Sequence, residues 1–393
     1  MTIEARREYL KAIRLRYKNS TREQRSRILD EFCEVCDYNR KHAIRILGRQ
    51  DTDGKASKPG PKPRYGSETI THLVSLWKLM NYMCSVRMKI ALPLWLNYYT
   101  PEDLQADTRL KLLEISSSSI DRLLKPYKEG CKRGLSGTKS GAFLKSQIPI
   151  ELLDKHVDRP GFMECDTVAH CGNTLVGSFA NSLTMTDLLS GWTANRATMG
   201  KEAVDIVEKV KDIRAGLPFR MAGFAADNGS EFINRSLVSY LQDNKHGHVK
   251  FVRRRPYKKN DNAHVEQKNN THVRQLFGYH RIEHMELIDL MNDIYRNYWN
   301  PLLNFFCPAL KLIKKVRIGG KLKKTYDKPK TPYDRLIDSG KLTELQLHRL
   351  RSERDLLDPL VLKRGLDAKL RLFGERLHRL QKGNIKSGPG EAA

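Results

Sequence analysis

The sequence predicts an α/β protein: a mixed five-stranded sheet in the middle of the chain, all-α units before it, and a basic, mainly helical region after it. Three observations carry this prediction. Apolar residues recur at three- and four-residue steps through the first half of the chain. From Pro160 that periodicity becomes strand-like, with three strand-like stretches in succession. Helical and strand-like stretches then alternate as far as Phe277.

Taken in order, the first fifty residues read as helices. Thr21 caps a helix that carries Ile28, Leu29, Phe32, Val35 and Cys36 on one face. A second follows from about Asn39 to Leu47 and bears Arg40, Lys41 and Arg45. Two short helices with a basic second member fit a helix-turn-helix-like unit over 1–50. A helical hairpin with a solvated basic face fits the same residues. Residues 51–66 form a basic Pro/Gly linker.

A second helical DNA-binding unit is expected over 67–128. One helix stops near Ile115, and Ser116 or Ser117 caps the next, whose inner face is Ile120, Leu123 and Leu124. Ser117, Ser118 and Arg122 sit near its start. Small hydroxyls and an arginine at a helix N-terminus suit a major groove, so these three are candidate DNA contacts; an inert helix pair is the alternative. A Gly-, Ser- and Lys-rich linker over 129–158 leads to the core.

The core is expected over 159–308. Strands read from Gly161 to His170, Thr174 to Asp187 and Trp192 to Thr198. A helix over Lys201 to Ala215 follows, then a strand over Met221 to Ala226, a helix near Ser236 to Gln242 and a strand over Val249 to Arg253. The last helix runs from Ala263 to Phe277, with Asn262 as its N-cap. Three antiparallel strands, then helix, strand, helix, strand, helix, is the order of a ribonuclease-H-like fold.

Three carboxylates stand out. Asp166 lies inside the first strand among apolar neighbours, where a charge is costly unless paired or bound to metal. Asp227 ends the fourth strand, at Asn228-Gly229. Glu266 falls in or near the first turn of the last helix, on the face of Asn269, Val273 and Leu276. In this strand order the first and fourth strands are neighbours, so both aspartates reach one cation. Phosphodiester cleavage is an in-line displacement, and two divalent ions about 4 Å apart activate the nucleophile and stabilise the leaving oxygen. Carboxylate oxygens suit hard Mg²⁺. Asp166, Asp227 and Glu266 are therefore the expected catalytic and metal-holding residues. Asp187, Glu231 and Asp261 are rival acids that read as turn or cap residues.

These residues also resemble a family. Asp227-Asn228-Gly229-Ser230-Glu231-Phe232 is similar to the second-acid motif of DDE transposases with an integrase-type catalytic core, and Arg255-Pro256-Tyr257-Lys258-Lys259-Asn260 through Glu266-Gln267-Lys268 to their third. Glu164-Cys165-Asp166 resembles the first-acid strand, and Gly278-Tyr279-His280-Arg281 the helix end in bacterial insertion-sequence transposases. The likeness spans about Pro160 to Pro308. It implies two Mg²⁺ or Mn²⁺ ions per site and a homo-oligomer that pairs the two ends of an element. Its duplex DNA partners would be terminal inverted repeats and target DNA. The interval from Asp227 to Glu266 is slightly longer than is commonest in that family.

Charge agrees with a polyanionic partner. Lys and Arg total 71 against 45 Asp and Glu, a net charge of +26. Arg253, Arg254, Arg255, Lys258 and Lys259 line the approach to the metal site and are expected to meet phosphate, as are Lys268 and Arg274. Residues 309–331 read as a basic linker laid on DNA, with Lys321, Lys323 and Lys324 as contacts. Residues 332–393 read as helical with a frayed tail. The first residues carry charges and no apolar core of signal-peptide length, no apolar run is long enough for a bilayer, and the seven cysteines do not read as a disulfide framework. A cytoplasmic, nucleoid-associated protein with no membrane and no small-molecule substrate is the expectation. The rivals are a nuclease that cuts without joining and a transposase-derived DNA-binding regulator without catalysis.

Overall fold

The computed structural model describes residues 2–48, 64–128, 157–200, 202–226, 232, 235–243, 248–253, 268–318 and 321–386. The chain divides into two compact units, at Arg64 and Tyr65.

The first unit is three helices: α1 (Ile3–Lys18), α2 (Arg22–Cys36) and α3 (Arg40–Gly48). Thr21 starts α2 with a capping box shared with Gln24, which satisfies two otherwise orphaned backbone donors. Ile13, Ile28, Leu29, Phe32, Cys36, Ala43 and Leu47 form its core. Cys33 and Cys36 belong to this helix packing, and burial pushes the Cys36 thiol pKa up.

The second unit opens with α4 (Ser67–Leu79), α5 (Ser85–Leu96), α6 (Ala106–Glu114) and α7 (Ser117–Lys128). A five-stranded sheet follows: β1 (Phe162–Ala169), β2 (Ala180–Asp187) and β3 (Thr193–Met199), then α8 (Ala203–Ala215), β4 (Gly223–Ala226), α9 (Arg235–Gln242) and β5 (Lys250–Arg253). The strand order is β3-β2-β1-β4-β5. β1, β2 and β3 pair antiparallel, while β4 and β5 run parallel to β1. This is the ribonuclease-H-like arrangement that the order of elements predicts. Helix α10 then begins as a π-helix over Asn269–Arg274 and closes as an α-helix over Gln275–Phe277. A long helix, α11, runs through Met285–Asp293, a π-helical stretch Ile294–Trp299, and Asn300–Phe306. Strands β6 (Leu312–Ile318) and β7 (Lys321–Tyr326) precede α12 (Pro332–Asp338), α13 (Glu344–Asp355) and α14 (Pro359–Lys386).

Two expectations change. The second strand begins at Ala180, not Thr174. The Arg281 guanidinium takes the carbonyls of Cys171, Thr174, Val176 and Ser178 at 2.7–3.4 Å, so that stretch is a loop wrapped on one arginine. The supposed linker over 309–331 carries an antiparallel hairpin, β6 on β7.

The helices of 67–128 share one hydrophobic core with the sheet. Trp95 Nε1 donates to Phe306 O at 3.1 Å and Arg87 Nε to Pro308 O at 2.5 Å, which ties α5 to the end of α11. The chain makes β1 and β4 close neighbours by using Gly223: a Cβ there would fall 2.2 Å from the Phe162 ring.

β3 is a sheet edge, yet Thr193 to Thr198 are buried. Helix α11 covers it with asparagines. Asn292 accepts from Ala197 N and donates to Ala197 O (2.8 and 2.9 Å). Asn304 does the same with Thr193 (3.0 and 2.9 Å), and Asn300 donates to Asn195 O at 3.5 Å. The outward backbone groups of an edge strand otherwise invite another strand. Beside them, Asp212 binds both Arg196 (2.5 Å) and Arg296 (2.7 Å). Among the described residues no helix is long and apolar enough to cross a membrane.

Candidate active site

Asp166 sits near the middle of β1, opposite Thr184 of β2. On the other side of β1, Cys165 is paired with Ala226, the last residue of β4. The residue that follows Ala226 in sequence is Asp227. Asp227 and Glu266 lie outside the described residues, as do Arg254, Arg255, Lys258 and Lys259. Arg253 closes β5 and pairs with Ala226 through the backbone.

The Asp166 carboxylate is half-exposed. Its Oδ1 accepts from the Thr167 N–H at 2.8 Å and its Oδ2 from Asn269 Nδ2 at 2.7 Å. Asn269 lies three residues after Glu266, on the helix face expected to reach the sheet. Its own Oδ1 is buried, with no hydrogen-bond partner among the described residues. Sequence reasoning placed Asn269 on the right face and gave it no role; the three-residue spacing was the available signal.

Arg274 also docks on β1: its Nη2 donates to Ala169 O at 2.8 Å, and its guanidinium lies 4.7 Å from the Tyr279 ring centroid. In an α-helix two residues five apart point about 140° apart. The π-helical bonding of Asn269–Arg274 runs from i to i+5 and brings them to one side. A cleft of about 480 Å³ is lined by Thr167, Asn269, Asn270, Arg274 and Tyr279 among others; Asp166 does not line it and adjoins it through its bond to Asn269. A larger cavity of about 880 Å³ lies at Arg196, Asp212 and Arg296, and none of the expected site residues lines it.

Lys268 faces elsewhere. It is half-buried, and burial together with Arg87 and Arg335 lowers its pKa to about 8. His272 and Cys307 belong to the same surroundings: burial keeps the histidine neutral and lifts the thiol to about 11. His170 is buried, bonds Ser182 Oγ at 2.8 Å, and is held to a pKa of about 3 by burial and then by Arg274. Of the other candidates, Ser118 and Arg122 are exposed and Ser117 half-buried at the start of α7; Lys323 and Lys324 are exposed on β7, which Lys321 begins. The rival Asp187 is a turn acid: it accepts from Gly161 N and from Ser190 N and Oγ at 2.6–2.8 Å.

Among the described residues no three His, Cys, Asp or Glu side chains gather as a metal site. The described part of the site nonetheless fits a hard cation. It offers a half-exposed carboxylate and, beside it, an orphaned amide oxygen, and Mg²⁺ favours oxygen donors.

Sheet order and acid together define a ribonuclease-H-like core with an aspartate on its central strand. The chain is 34% identical over 345 residues to the uncharacterized protein y4rM of Sinorhizobium fredii, covering 85% of this chain and 96% of that one. It belongs to the y4rM family. No protein-family model matches. Solved structures similar to parts of the chain include the HTLV-2 integrase catalytic core domain in complex with magnesium. That likeness is 15% identical, with TM-score 0.28, over 38% of this chain and 91% of that one. The BIV integrase catalytic core domain is 14% identical, with TM-score 0.26, over 46% and 95%.

Proposed function

We propose that the chain is a DNA transposase that binds the ends of its element, cleaves phosphodiester bonds and joins the 3′ ends to target DNA. The observation that carries this is the meeting at Asp166: β4 ends beside its strand, one residue before Asp227, and the helix that follows Glu266 in sequence docks Asn269 on its carboxylate. That is the layout a carboxylate triad from two strands and one helix requires. Asp166, Asp227 and Glu266 would hold two Mg²⁺ or Mn²⁺ ions. Bound there, the ions supply Lewis-acid activation of water or a 3′-hydroxyl and stabilise the leaving oxygen.

The chain's own groups do the positioning. Thr167 N–H and the Asn269 amide fix the Asp166 carboxylate in one orientation. Arg274 and Tyr279 shape the cleft in which a phosphate lies. The basic stretch 253–259, together with Ser117, Ser118 and Arg122 and the lysines of β7, would hold duplex DNA through its phosphates. Paired ends imply a homo-oligomer.

The test is cleavage and strand transfer on DNA bearing the element's ends, with Mg²⁺ or with EDTA, for wild type and for Asp166→Asn, Asp227→Asn and Glu266→Gln. Metal-dependent cutting and joining, abolished by each substitution while end binding survives, is the expected result. Sequence-specific binding with no cleavage under any divalent metal would replace this reading with a DNA-binding regulator. Cutting without joining would leave a nuclease.

A further inference from the structure

The β6–β7 hairpin is built unlike the rest of the chain. Its base is fixed. Asp327 Oδ1 accepts from Lys311 N at 2.7 Å and Oδ2 from Arg335 at 2.5 Å, while Arg335 also reaches Ala309 O at 2.9 Å. Lys311 Nζ donates to Leu188 O at 2.9 Å, which ties the base to the end of β2. Beyond that base the ribbon is open to solvent: Ile313, Lys314, Val316, Lys323, Lys324 and Thr325 are all exposed.

Residues 312–326 hold six Lys and Arg and no acid. Asp327, the one acid of 311–330, is committed to the base, and Lys314, Lys323 and Lys324 have no carboxylate partner among the described residues. The register sets Lys315 directly opposite Lys324. Like charges across a ladder destabilise it, and a lone two-stranded ribbon is marginal in water. Such a ribbon calls for a polyanion as its third layer.

The charge distribution selects which polyanion. By strand alternation, the exposed Lys314 and Lys323 lie on one face and the exposed Lys324 on the other, so both faces carry basic charge. A flat anionic surface neutralises one face and strands the other. A groove has two phosphate walls. The DNA major groove, about 12 Å wide, admits a two-stranded ribbon as it stands, whereas the minor groove, about 6 Å wide, takes one only when the duplex is deformed to widen it. A seven-residue strand reaches about 23 Å, enough to run along it.

We propose that the β6–β7 hairpin enters the major groove of duplex DNA, with its two faces turned to the two phosphate walls. The inference rests on the reading of the chain as a protein that acts on DNA, and its test is independent of cleavage.

The test uses the full chain and a 30-bp duplex of arbitrary sequence, with affinity followed by anisotropy from low to high salt. Replacing Lys314, Lys323 and Lys324 together by Gln is expected to weaken binding at least tenfold at low salt and to reduce the salt slope by about 2.7, at about 0.9 per phosphate contact. Lys314→Gln with Lys323→Gln should remove about 1.8 of that slope and Lys324→Gln about 0.9. An unchanged slope in the triple variant overturns the proposal. So does loss confined to one face, which means a flat contact. The two single-face variants and the unfolding midpoint guard against misreading a folding defect: both variants should unfold at or above the wild-type temperature, since repulsion is relieved. Methyl green, which occupies the major groove, should displace wild type while netropsin, in the minor groove, does not; the reverse overturns the proposal. It also falls if the triple variant loses binding to phosphatidylserine vesicles but keeps its DNA slope. Cleavage of element ends is scored in parallel. Wild-type cleavage with an unaltered triple-variant slope would sink the ribbon and leave the transposase; a reduced triple-variant slope with a wild type that never cuts would do the opposite.

Discussion

Asparagine amides close the β3 edge and also hold Asp166, and the two places use the side chain differently. At the edge, Asn292 and Asn304 each spend both polar atoms on one backbone residue, Ala197 and Thr193. At these two positions the strand's outward groups are paired as a sixth strand would pair them, while Asn300, between them, donates to Asn195 O and keeps its own Oδ1 without a partner among the described residues. At Asp166, Asn269 spends its N–H on the carboxylate and keeps a buried oxygen with no partner. A saturated amide is architecture. Asn300 and Asn195 also keep an unpartnered oxygen, so what sets Asn269 apart is the half-exposed carboxylate beside it, which suits the cation proposed above.

The comparison breaks most visibly if the edge amides are removed. Asn304→Ala leaves the N–H and C=O of Thr193 unpaired in a buried strand. At about 1–3 kcal/mol for each orphaned group, about 4 kcal/mol of stability should be lost, read from urea unfolding. Asn292→Ala should cost a similar amount at Ala197. A loss under about 1 kcal/mol for either would mean that water replaces the amide and that the edge is not sealed.

The ion pair beside the clamp ranks next. Asp212 is the partner of Arg196, whose side chain is 8% exposed, and of the more open Arg296. Asp212→Asn strands a buried guanidinium and should cost about 3 kcal/mol, the low end for a broken buried pair because Asp212 is itself partly exposed. Burial raises the Asp212 pKa, but Arg196 and Arg296 outweigh it and hold it below the ordinary carboxylate value. The stabilisation is therefore present above that ordinary value and is lost as pH falls through the folded pKa. Unfolding midpoints measured from pH 5 downward should fall less steeply in the variant; parallel curves would contradict the assignment.

Buried histidines give a smaller effect in a separate window. His170 and His272 stay neutral when folded, and their folded pKa values lie below the unfolded one. The unfolded chain binds the extra protons, so stability is full above about pH 6.5 and declines as pH falls toward the folded values. At pH 5 the loss should be about 2 kcal/mol for His170, with a further loss in the same direction from His272. His170→Asn should flatten that decline between pH 6.5 and 5; an unchanged slope would show that His170 gains a proton without cost.

How much of this was legible in the sequence follows the same division. The order of elements, the adjacency of the first and fourth strands, and the Thr21 cap could all be read because apolar periodicity and turn residues encode them locally. The edge clamp could not. Asn292, Asn300 and Asn304 look like the polar side of an amphipathic helix, and only the fold shows that Leu287, Ile288 and Met291 and these asparagines are all turned inward. Four-residue spacing drifts about 40° per step on an α-helix, so Asn292 and Asn304 should part by about 120°. The wider π-helical turn at Ile294–Trp299 takes back that drift, and no residue pattern announces it. The hairpin was read as a linker because lysine-rich composition hides strand alternation. Lys268 was assigned to phosphate by charge alone; the fold makes it half-buried, where burial and then the charges of Arg87 and Arg335 lower its pKa, which charge alone could not foretell.

The smallest effect bears most directly on the comparison. Asn269→Ala removes one hydrogen bond from a carboxylate that water can still reach, so unfolding stability should change by less than about 1 kcal/mol. If the amide's task is to orient Asp166 for a cation, the Mg²⁺ concentration needed for half-maximal cleavage should rise about tenfold, the low end for a residue that supports a metal ligand. Mn²⁺ affinity by calorimetry should weaken in step. The i to i+5 geometry of α10 predicts further that Arg274→Ala, which frees Ala169 O and loosens the same helix, raises the Mg²⁺ requirement in the same direction. Should Asn269→Ala instead lower stability as far as Asn304→Ala does and leave the metal requirement untouched, the unpaired oxygen is a packing accident and the two asparagine sites are one kind after all.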